Sequence, residues 1–455
     1  MFEDTITAIA TPLGEGGLAV VRISGSKALA IADGCFRASG KGVLPSLAQT
    51  HALLHGHVTR QGQDVDEVLL AVMRAPRTYT REDVVEISCH GGLLPARAVL
   101  DAVLAGGARL ALPGEFTQRA FLNGRLDLAQ AEAVADLIHS RTELAMRAAS
   151  EQLAGKLSRR INALRDDLMA ILAHLEAHID FPDEDIAPDT RDQLLKRLEQ
   201  AVVFMDELLS TALEGRILRR GVRAAIIGRP NAGKSSLLNQ LLGHDRAIVS
   251  RTPGTTRDTI EETANIRGVP VIFIDTAGLR EARDEIEIEG VRRSREALGR
   301  AEIVLHVLDG SEPLTPVDEA YLEEFASKPR VMVVNKADLP RVLQLKAGTA
   351  AKQVALSCLS GNGVEALKDE IKELVWSGQV KAEMLEVMIN ARHQDALSRA
   401  RTSTVLTLEA LRTDASLDLV AVDLHAAVNA VGEVVGKTTT EDLLDSIFSQ
   451  FCIGK

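Results

Sequence analysis

The chain has 455 residues, 46% of them apolar and 25% charged, which at ~100–200 residues per domain makes room for about three domains. It carries 52 Lys and Arg against 64 Asp and Glu, a formal charge of −12, which argues against a whole-surface nucleic-acid binder but leaves room for local basic patches. Mean hydropathy is +0.04, no unbroken apolar run nears the ~18–20 residues of a membrane span, and the acidic start Met1-Phe2-Glu3-Asp4 is no secretory signal, so a cytoplasmic protein without membrane contact is expected.

Glycine and proline both disfavour helix interiors, so their absence marks helices. Residues 1–117 mix β-branched runs, such as Gly17–Ser24 and Asp83–Ser88, with glycine-rich turns and one helical stretch around 92–105; this predicts an α+β domain. Helices are expected over 118–215, broken once at Phe181-Pro182-Asp183. Within them Leu164, Leu168, Ile171, Leu175 and Ile179 repeat at the spacing of an amphipathic helix. Over 216–376 the apolar runs Arg223–Ile227, Val271–Ile274, Ile303–Leu308 and Val331–Val334 alternate with helical stretches, the pattern of a parallel α/β sheet. Helix returns over 377–455. Two helical blocks flanking an α/β segment suggest one discontinuous helical domain carrying an inserted α/β domain; two unrelated helical domains are the alternative.

Gly228-Arg-Pro-Asn-Ala-Gly-Lys-Ser235 follows an apolar run and fits the phosphate-binding loop GxxxxGK[ST]. Backbone amides of Asn231, Ala232, Gly233 and Lys234 would wrap phosphates, Lys234 would neutralise them, and the Ser235 hydroxyl, followed by Ser236, would reach Mg²⁺. Asp275-Thr276-Ala277-Gly278 closes the Val271–Ile274 run, where an aspartate can hold Mg²⁺ through water and a glycine amide can face the γ-phosphate. Asn335-Lys336-Ala-Asp338 closes the Val331–Val334 run. The Asp338 carboxylate can accept from the N1–H and 2-amino group of guanine, groups adenine lacks, so GTP is expected. Ser357-Cys358-Leu359 stands where a last base-contacting loop belongs, and Gly254-Thr255-Thr256 where a switch loop supplies a threonine, Thr256, to Mg²⁺. Leu279 occupies the place where Ras-type enzymes carry a water-orienting glutamine. A carboxylate from Asp284-Glu-Ile-Glu287 is the nearest substitute.

These motifs, with Ala10-Thr-Pro12, Arg22-Ile-Ser-Gly25, Pro113-Gly-Glu-Phe116, Arg119–Asn123, Leu126–Glu132 and the terminal Phe451-Cys-Ile-Gly-Lys455, resemble the MnmE (TrmE) family of tRNA-modification GTPases from end to end. The resemblance implies an α+β N-terminal domain that binds 5-formyltetrahydrofolate or another tetrahydrofolate and dimerises, a discontinuous helical domain, and an inserted Ras-like α/β GTPase domain. It implies a homodimer that forms a heterotetramer with the flavoprotein MnmG (GidA) and modifies C5 of the wobble uridine, position 34, of certain tRNAs. It maps K⁺ ligands to Asn231, Ser250, Thr252 and Thr255, with Arg251 and Pro253 in the same loop, and the catalytic glutamate to Glu287. Folate contacts map to Arg22, Glu86, Arg125 and Lys455.

Four cysteines, Cys35, Cys89, Cys358 and Cys452, lie far apart, without the spacing of a zinc site or disulfide framework. The resemblance places Cys452 near the folate, where a thiolate would assist one-carbon transfer; a buried structural cysteine is the other reading, and Gly454 and Lys455 do not suit a prenylation signal. Basic clusters at Arg216, Arg219, Arg220 and Arg223 and at Arg292, Arg293 and Arg295 suit tRNA phosphates, a dimer partner or simply solvent. The functional alternative is a regulatory GTP-binding switch of the ribosome-assembly type, without one-carbon chemistry.

Overall fold

The structure is a computed structural model that describes residues 3–40, 42–180, 191–243, 261–274, 299–345, 351–376, 385–413 and 415–455. By packing, the chain forms two units: Met1–Ala135 with Ser158–Ala170 and His425–Lys455, and Asp136–Leu157 with Ile171–Leu424.

The first unit is built on a seven-stranded sheet. Its strands are β1 (Ile6–Ile9), β2 (Leu18–Ser24), β3 (Phe36–Ala38), β4 (Ala52–Arg60), β5 (Gln63–Met73), β6 (Val84–His90) and β7 (Arg109–Leu110), in the order β3-β4-β5-β6-β2-β1-β7. All neighbours are antiparallel except β1 and β7. Alternate residues of β2, Ala19, Val21 and Ile23, point into a core shared with Val58, Val68, Leu70, Val85 and Ile87, as a half-buried strand with period two requires. Two helices, Ala28–Cys35 and the expected Leu93–Ala105, cover that face. The C-terminal helix Glu441–Phe448 packs on the helix Glu115–Leu122, with the Phe121 and Phe448 rings 6.4 Å apart.

The second unit holds a six-stranded sheet of β8 (Val222–Ile227), β9 (Glu261–Ile266), β10 (Val269–Ile274), β11 (Ile303–Asp309), β12 (Arg330–Asn335) and β13 (Lys352–Ala355), ordered β13-β12-β11-β8-β10-β9. Five strands are parallel, with helices between them, which is the doubly wound arrangement the alternating pattern predicts. The sixth corrects that expectation: β9 runs antiparallel to β10. Arg267 and Gly268 join them with φ of 54° and 90°, a two-residue turn whose positive φ values suit a hairpin.

The helical stretch over 118–215 is also divided more often than expected. The described helices are Glu115–Leu122, Leu128–His139, Glu143–Leu153, Lys156–Asp180, Arg191–Leu209 and Ala212–Arg220. Gly124 and Gly155 end helices with φ of 70° and 79°, and the Thr142 hydroxyl caps the next by accepting from the Ala145 N–H, so local capping outweighs the continuous apolar stripe. Across the α/β insertion, the helix Ala391–Arg412 lies against Arg191–Leu209 through Arg401–Asp206 and Arg412–Glu199 pairs, both at 2.5 Å. The Thr211 hydroxyl donates to the Val387 carbonyl at 3.2 Å. The molecule is thus an α+β N-terminal domain, a discontinuous helical domain and an inserted Ras-like α/β P-loop domain.

Candidate GTP and folate sites

The loop after β8 turns sharply because three of its residues adopt positive φ: Gly228 at 144°, Asn231 at 64° and Gly233 at 99°. A Cβ on Gly228 would stand 2.2 Å from the Val307 carbonyl oxygen, and one on Gly233 2.1 Å from Asn335 Nδ2. Glycine is therefore required at both places, and the loop stays narrow and backbone-lined. It ends on the N-terminus of the helix Lys234–Leu242, whose free amides and dipole favour an anion. Lys234 Nζ donates to the Gly228 and Arg229 carbonyls at 2.8 and 2.9 Å, so its charge sits over the loop. Ser235 and Ser236 open the helix with exposed side chains, Asn231 is exposed beside them, and Ala232 is buried. Carbonyls, amides, a hydroxyl and one cation are a donor set suited to a nucleotide phosphate and Mg²⁺.

The residues expected to read the base come together at the ends of β12 and β13. Asn335 is buried; its Nδ2 donates to the Ala232 carbonyl at 2.8 Å and its Oδ1 accepts from the Cys358 N–H at 3.1 Å. One side chain thus ties the phosphate loop to the Ser357–Leu359 loop, and Gln240 adds a 2.8 Å bond to the Cys358 carbonyl. Lys336, at φ 63°, pairs with Asp309 at 2.5 Å. Burial works against the Asp309 charge, but Lys336 and the Ser311 donors hold its carboxyl below the usual range. Asp338 is exposed, free to face a base. Ser357 and Cys358 are buried and Leu359 is exposed; burial, reinforced by the nearby Asp338 charge, pushes the Cys358 thiol up to about 11. Thr256, Asp275–Gly278, Glu287, Ser250, Arg251, Thr252, Pro253, Gly254 and Thr255 lie outside the described residues, as do Arg292, Arg293 and Arg295. Of the other basic cluster, Arg219 is turned inward, bonded to Asp136 at 2.5 Å and Gln152 at 2.8 Å, and Arg216 lies 3.7 Å from Glu302.

In the first unit, Arg22 on β2 and Glu86 on β6 are direct cross-strand partners, and Arg22 Nε donates to Glu86 Oε1 at 2.7 Å. The C-terminal tail reaches this pair: Arg22 Nη1 donates to the Gly454 carbonyl at 3.0 Å. Gly454 has φ 95°, and a Cβ there would meet the Ile9 carbonyl oxygen at 2.7 Å; glycine lets the tail lie flat against the end of β1. Upstream, Phe451 is buried against Phe448, ring to ring at 5.6 Å, and the Gly114 N–H donates to the Cys452 carbonyl at 3.4 Å. Lys455 lies within electrostatic reach of both Arg22 and Glu86. Burial and the Arg22 charge lower the Lys455 ammonium below its ordinary value, and Glu86 opposes them. Cys452 is exposed, which removes the buried structural reading of this cysteine.

Arg125 joins the group through Tyr79. Its guanidinium stacks over the Tyr79 ring at 5.8 Å and donates to the Thr78 carbonyl at 3.1 Å, while Arg22 stacks on Phe116 at 5.6 Å. The Tyr79 hydroxyl bonds the Thr117 hydroxyl at 2.9 Å. Burial raises the Tyr79 phenol, opposed by Thr117 and by the charges of Arg22 and Arg125. Three of the expected folate contacts, Arg22, Glu86 and Lys455, are therefore neighbours, with Gly454 between them, and Arg125 is linked to them only through Tyr79. Tyr79 is one of two tyrosines in a chain with 3% aromatic residues, a scarcity that was its available signal. Two guanidiniums and an ammonium against one carboxylate leave net positive charge, and the half-buried Tyr79 ring offers a flat surface, while Phe116 is fully buried behind Arg22. This chemistry fits a ligand with a planar heterocycle and carboxylates.

Comparison with known proteins gives the same picture over the whole chain. A family model described as the MnmE helical domain matches residues 128–452, and one described as the GTP-binding protein TrmE N-terminus matches residues 5–125. The tRNA modification GTPase MnmE of Geobacillus kaustophilus (strain HTA426) is 47% identical over 464 residues, covering 99% of each chain. That of Chloroflexus aurantiacus (strain ATCC 29366 / DSM 635 / J-10-fl) is 48% identical over 458 residues, covering 100% of each. Among solved structures, a point variant of Aquifex aeolicus Era bound to GDP.AlF4- is 28% identical, with a TM-score of 0.27, over 40% of this chain and 67% of that one. With two family models and near-complete relatives agreeing on every segment, the chain belongs to the MnmE (TrmE) family of tRNA-modification GTPases.

Proposed function

We propose that this tRNA-modifying GTPase works as a potassium-stimulated hydrolase coupled to one-carbon chemistry. Its working parts are residues 1–117 for folate binding and homodimerisation, 118–215 and 377–455 as the two parts of the helical domain, and 216–376 as the GTPase domain. Lys234 and the 231–235 amides bind the phosphates, Asp338 reads guanine, and Asn335 holds the two loops in register. Ser235 and Thr256 would hold Mg²⁺, and Asn231, Ser250, Thr252 and Thr255 would hold K⁺. Glu287 orients the attacking water, a task for which the hydrocarbon side chain of Leu279 is unsuited. When bound, the two cations neutralise charge that develops on the phosphates and the folate carries the one-carbon unit. In complex with the flavoprotein MnmG, the chain directs a (carboxymethyl)aminomethyl group onto C5 of uridine 34 in the cytoplasm.

The observation that carries the folate part is the docking of the tail: Gly454 accepts from Arg22 at 3.0 Å and brings Lys455 beside the Arg22–Glu86 pair. A GTP switch without one-carbon chemistry has no use for a cationic cluster assembled from both ends of the chain. The test is reconstitution with MnmG, unmodified tRNA, GTP and 5-formyltetrahydrofolate, followed by mass spectrometry of the nucleosides. Modification should require the folate, and GTP turnover should be faster in K⁺ than in Na⁺. Modification that proceeds equally without folate contradicts the first claim, and equal turnover in the two salts contradicts the second.

A further inference from the structure

An open groove of about 650 Å³ is lined by Pro76, Arg77, Arg81, Arg125 and Leu126. Three of its five lining residues are arginines. Arg81 donates from Nη1 to the Asn123 carbonyl at 2.9 Å and Arg125 from Nη1 to the Thr78 carbonyl at 3.1 Å. Each is therefore steadied by a neutral backbone acceptor while its charge remains unneutralised. Among the described residues none of the three guanidiniums is ion-paired with a carboxylate. The carboxylates of the same loop are committed elsewhere. Glu82 is buried, accepting from Ser24 at 2.7 Å and pairing with Arg119 at 3.2 Å, and Asp83 accepts from the Ala75 N–H at 2.9 Å. The groove thus concentrates positive charge in a chain whose net charge is −12, with Pro76 and Leu126 supplying apolar wall between the charges.

The groove shares one residue, Arg125, with the expected folate contacts. Arg125 lines it and also stacks on Tyr79, whose phenol feels both Arg125 and Arg22. A ligand held by Arg125 would have Arg77 and Arg81 in the same groove. Several separate guanidiniums along an open channel, with short apolar stretches between them, match a flexible chain of carboxylates joined by methylenes, since each planar fork takes one carboxylate bidentately.

We infer that this groove binds the poly-γ-glutamate tail of a folate whose pterin occupies the Arg22–Glu86–Lys455 cluster; the inference rests on the folate reading above. It adds Arg77 and Arg81 as residues that select polyglutamylated over monoglutamylated folate. The groove is open and solvated, so each added carboxylate strengthens binding by a factor of about two to five, and less at high salt.

Calorimetric titration of the full chain with the mono- and triglutamate forms of 5-formyltetrahydrofolate tests this. Triglutamate should bind about tenfold tighter at low salt, and Arg77→Ala/Arg81→Ala should reduce its affinity to that of the monoglutamate while leaving the latter unchanged. Arg77→Glu alone, at an exposed position, should act in the same direction without disturbing the Arg81–Asn123 contact. Equal affinity of the two forms for the native chain, or a tail-length effect that survives in the double variant, overturns the inference and leaves the folate reading standing. If neither form binds, the folate reading falls and takes the inference with it. If the double variant instead loses affinity for tRNA, with the tail-length effect intact, the groove is a phosphate-backbone site and the inference is wrong.

Discussion

Asn335 donates from its side-chain amide to the carbonyl of Ala232 at 2.8 Å, joining the guanine-reading segment to the phosphate loop across 103 residues of sequence. The contact also explains why Gly233 has no room for a side chain, since its Cβ would stand 2.1 Å from the same amide nitrogen. Phosphate recognition and base recognition therefore share a buried hinge pin and do not act as separate motifs.

Asn335→Ala removes both bonds of that pin and leaves the Ala232 carbonyl and the Cys358 N–H without their partner. The expected cost is about 2–4 kcal/mol, since each orphaned buried group costs about 1–3 kcal/mol, and the affinity for GDP should fall at least about tenfold. Fluorescent-nucleotide titration and thermal unfolding check the two consequences separately. Unchanged affinity would mean that the loops hold their positions without Asn335.

The phosphate loop is legible in the sequence because its chemistry demands contiguity. A phosphate must be wrapped by successive amides, so Gly228–Ser235 announces itself in one stretch. The folate cluster is different. Arg22, Glu86 and Lys455 come from β2, β6 and the chain end, and only the register of β2 against β6 and the docking of the tail make them neighbours; without the family resemblance each reads as a surface charge. Strand β9 was hidden because Glu261-Glu-Thr-Ala-Asn-Ile266 is a polar edge strand. The helix break at Thr142 was hidden because capping is local chemistry that an apolar stripe does not report.

His306 on β11 is fully buried, and neither ring nitrogen has a hydrogen-bond partner. Burial lowers its pKa to about 4, with Asp318 opposing and Arg330 assisting the shift. Between about pH 6.5 and pH 4 the unfolded chain binds a proton that the folded chain refuses, so stability falls as pH falls through that window, by about 3 kcal/mol in all. Above pH 6.5 both states are neutral at this site and it contributes no slope. His306→Leu should flatten this part of the profile and be the more stable form at pH 5. Denaturant titrations of both proteins at pH 7.5 and pH 5 measure the difference; identical slopes would contradict the assignment.

Arg119 is fully buried among Asp4 at 2.7 Å, Glu115 at 3.0 Å and Glu82 at 3.2 Å. It neutralises carboxylates that would otherwise repel one another. Arg119→Met keeps the bulk and removes the charge, which should destabilise the first unit by about 3–5 kcal/mol. The loss should be smaller at acid pH, where Asp4 and Glu115, held below their ordinary range against burial by Arg109 and Arg119, take up protons more readily once Arg119 is gone. Thermal unfolding at pH 7 and pH 4.5 reads both the size and the pH trend, and a variant as stable as the native protein would show that the cluster tolerates its own repulsion.

The claim on which the account most depends is that both ends of the chain build one folate site. Its most direct test is calorimetric titration of the full-length protein with 5-formyltetrahydrofolate, using Glu86→Ala and Gly454→Ala. The first removes the carboxylate that faces Arg22 and Lys455. The second places a Cβ 2.7 Å from the Ile9 carbonyl at φ 95°, a strain of about 1–3 kcal/mol that displaces the tail. Saturable binding to the native chain, weakened about tenfold or more by either substitution, is the predicted result. No binding to the native chain, or binding that neither substitution alters, would contradict it.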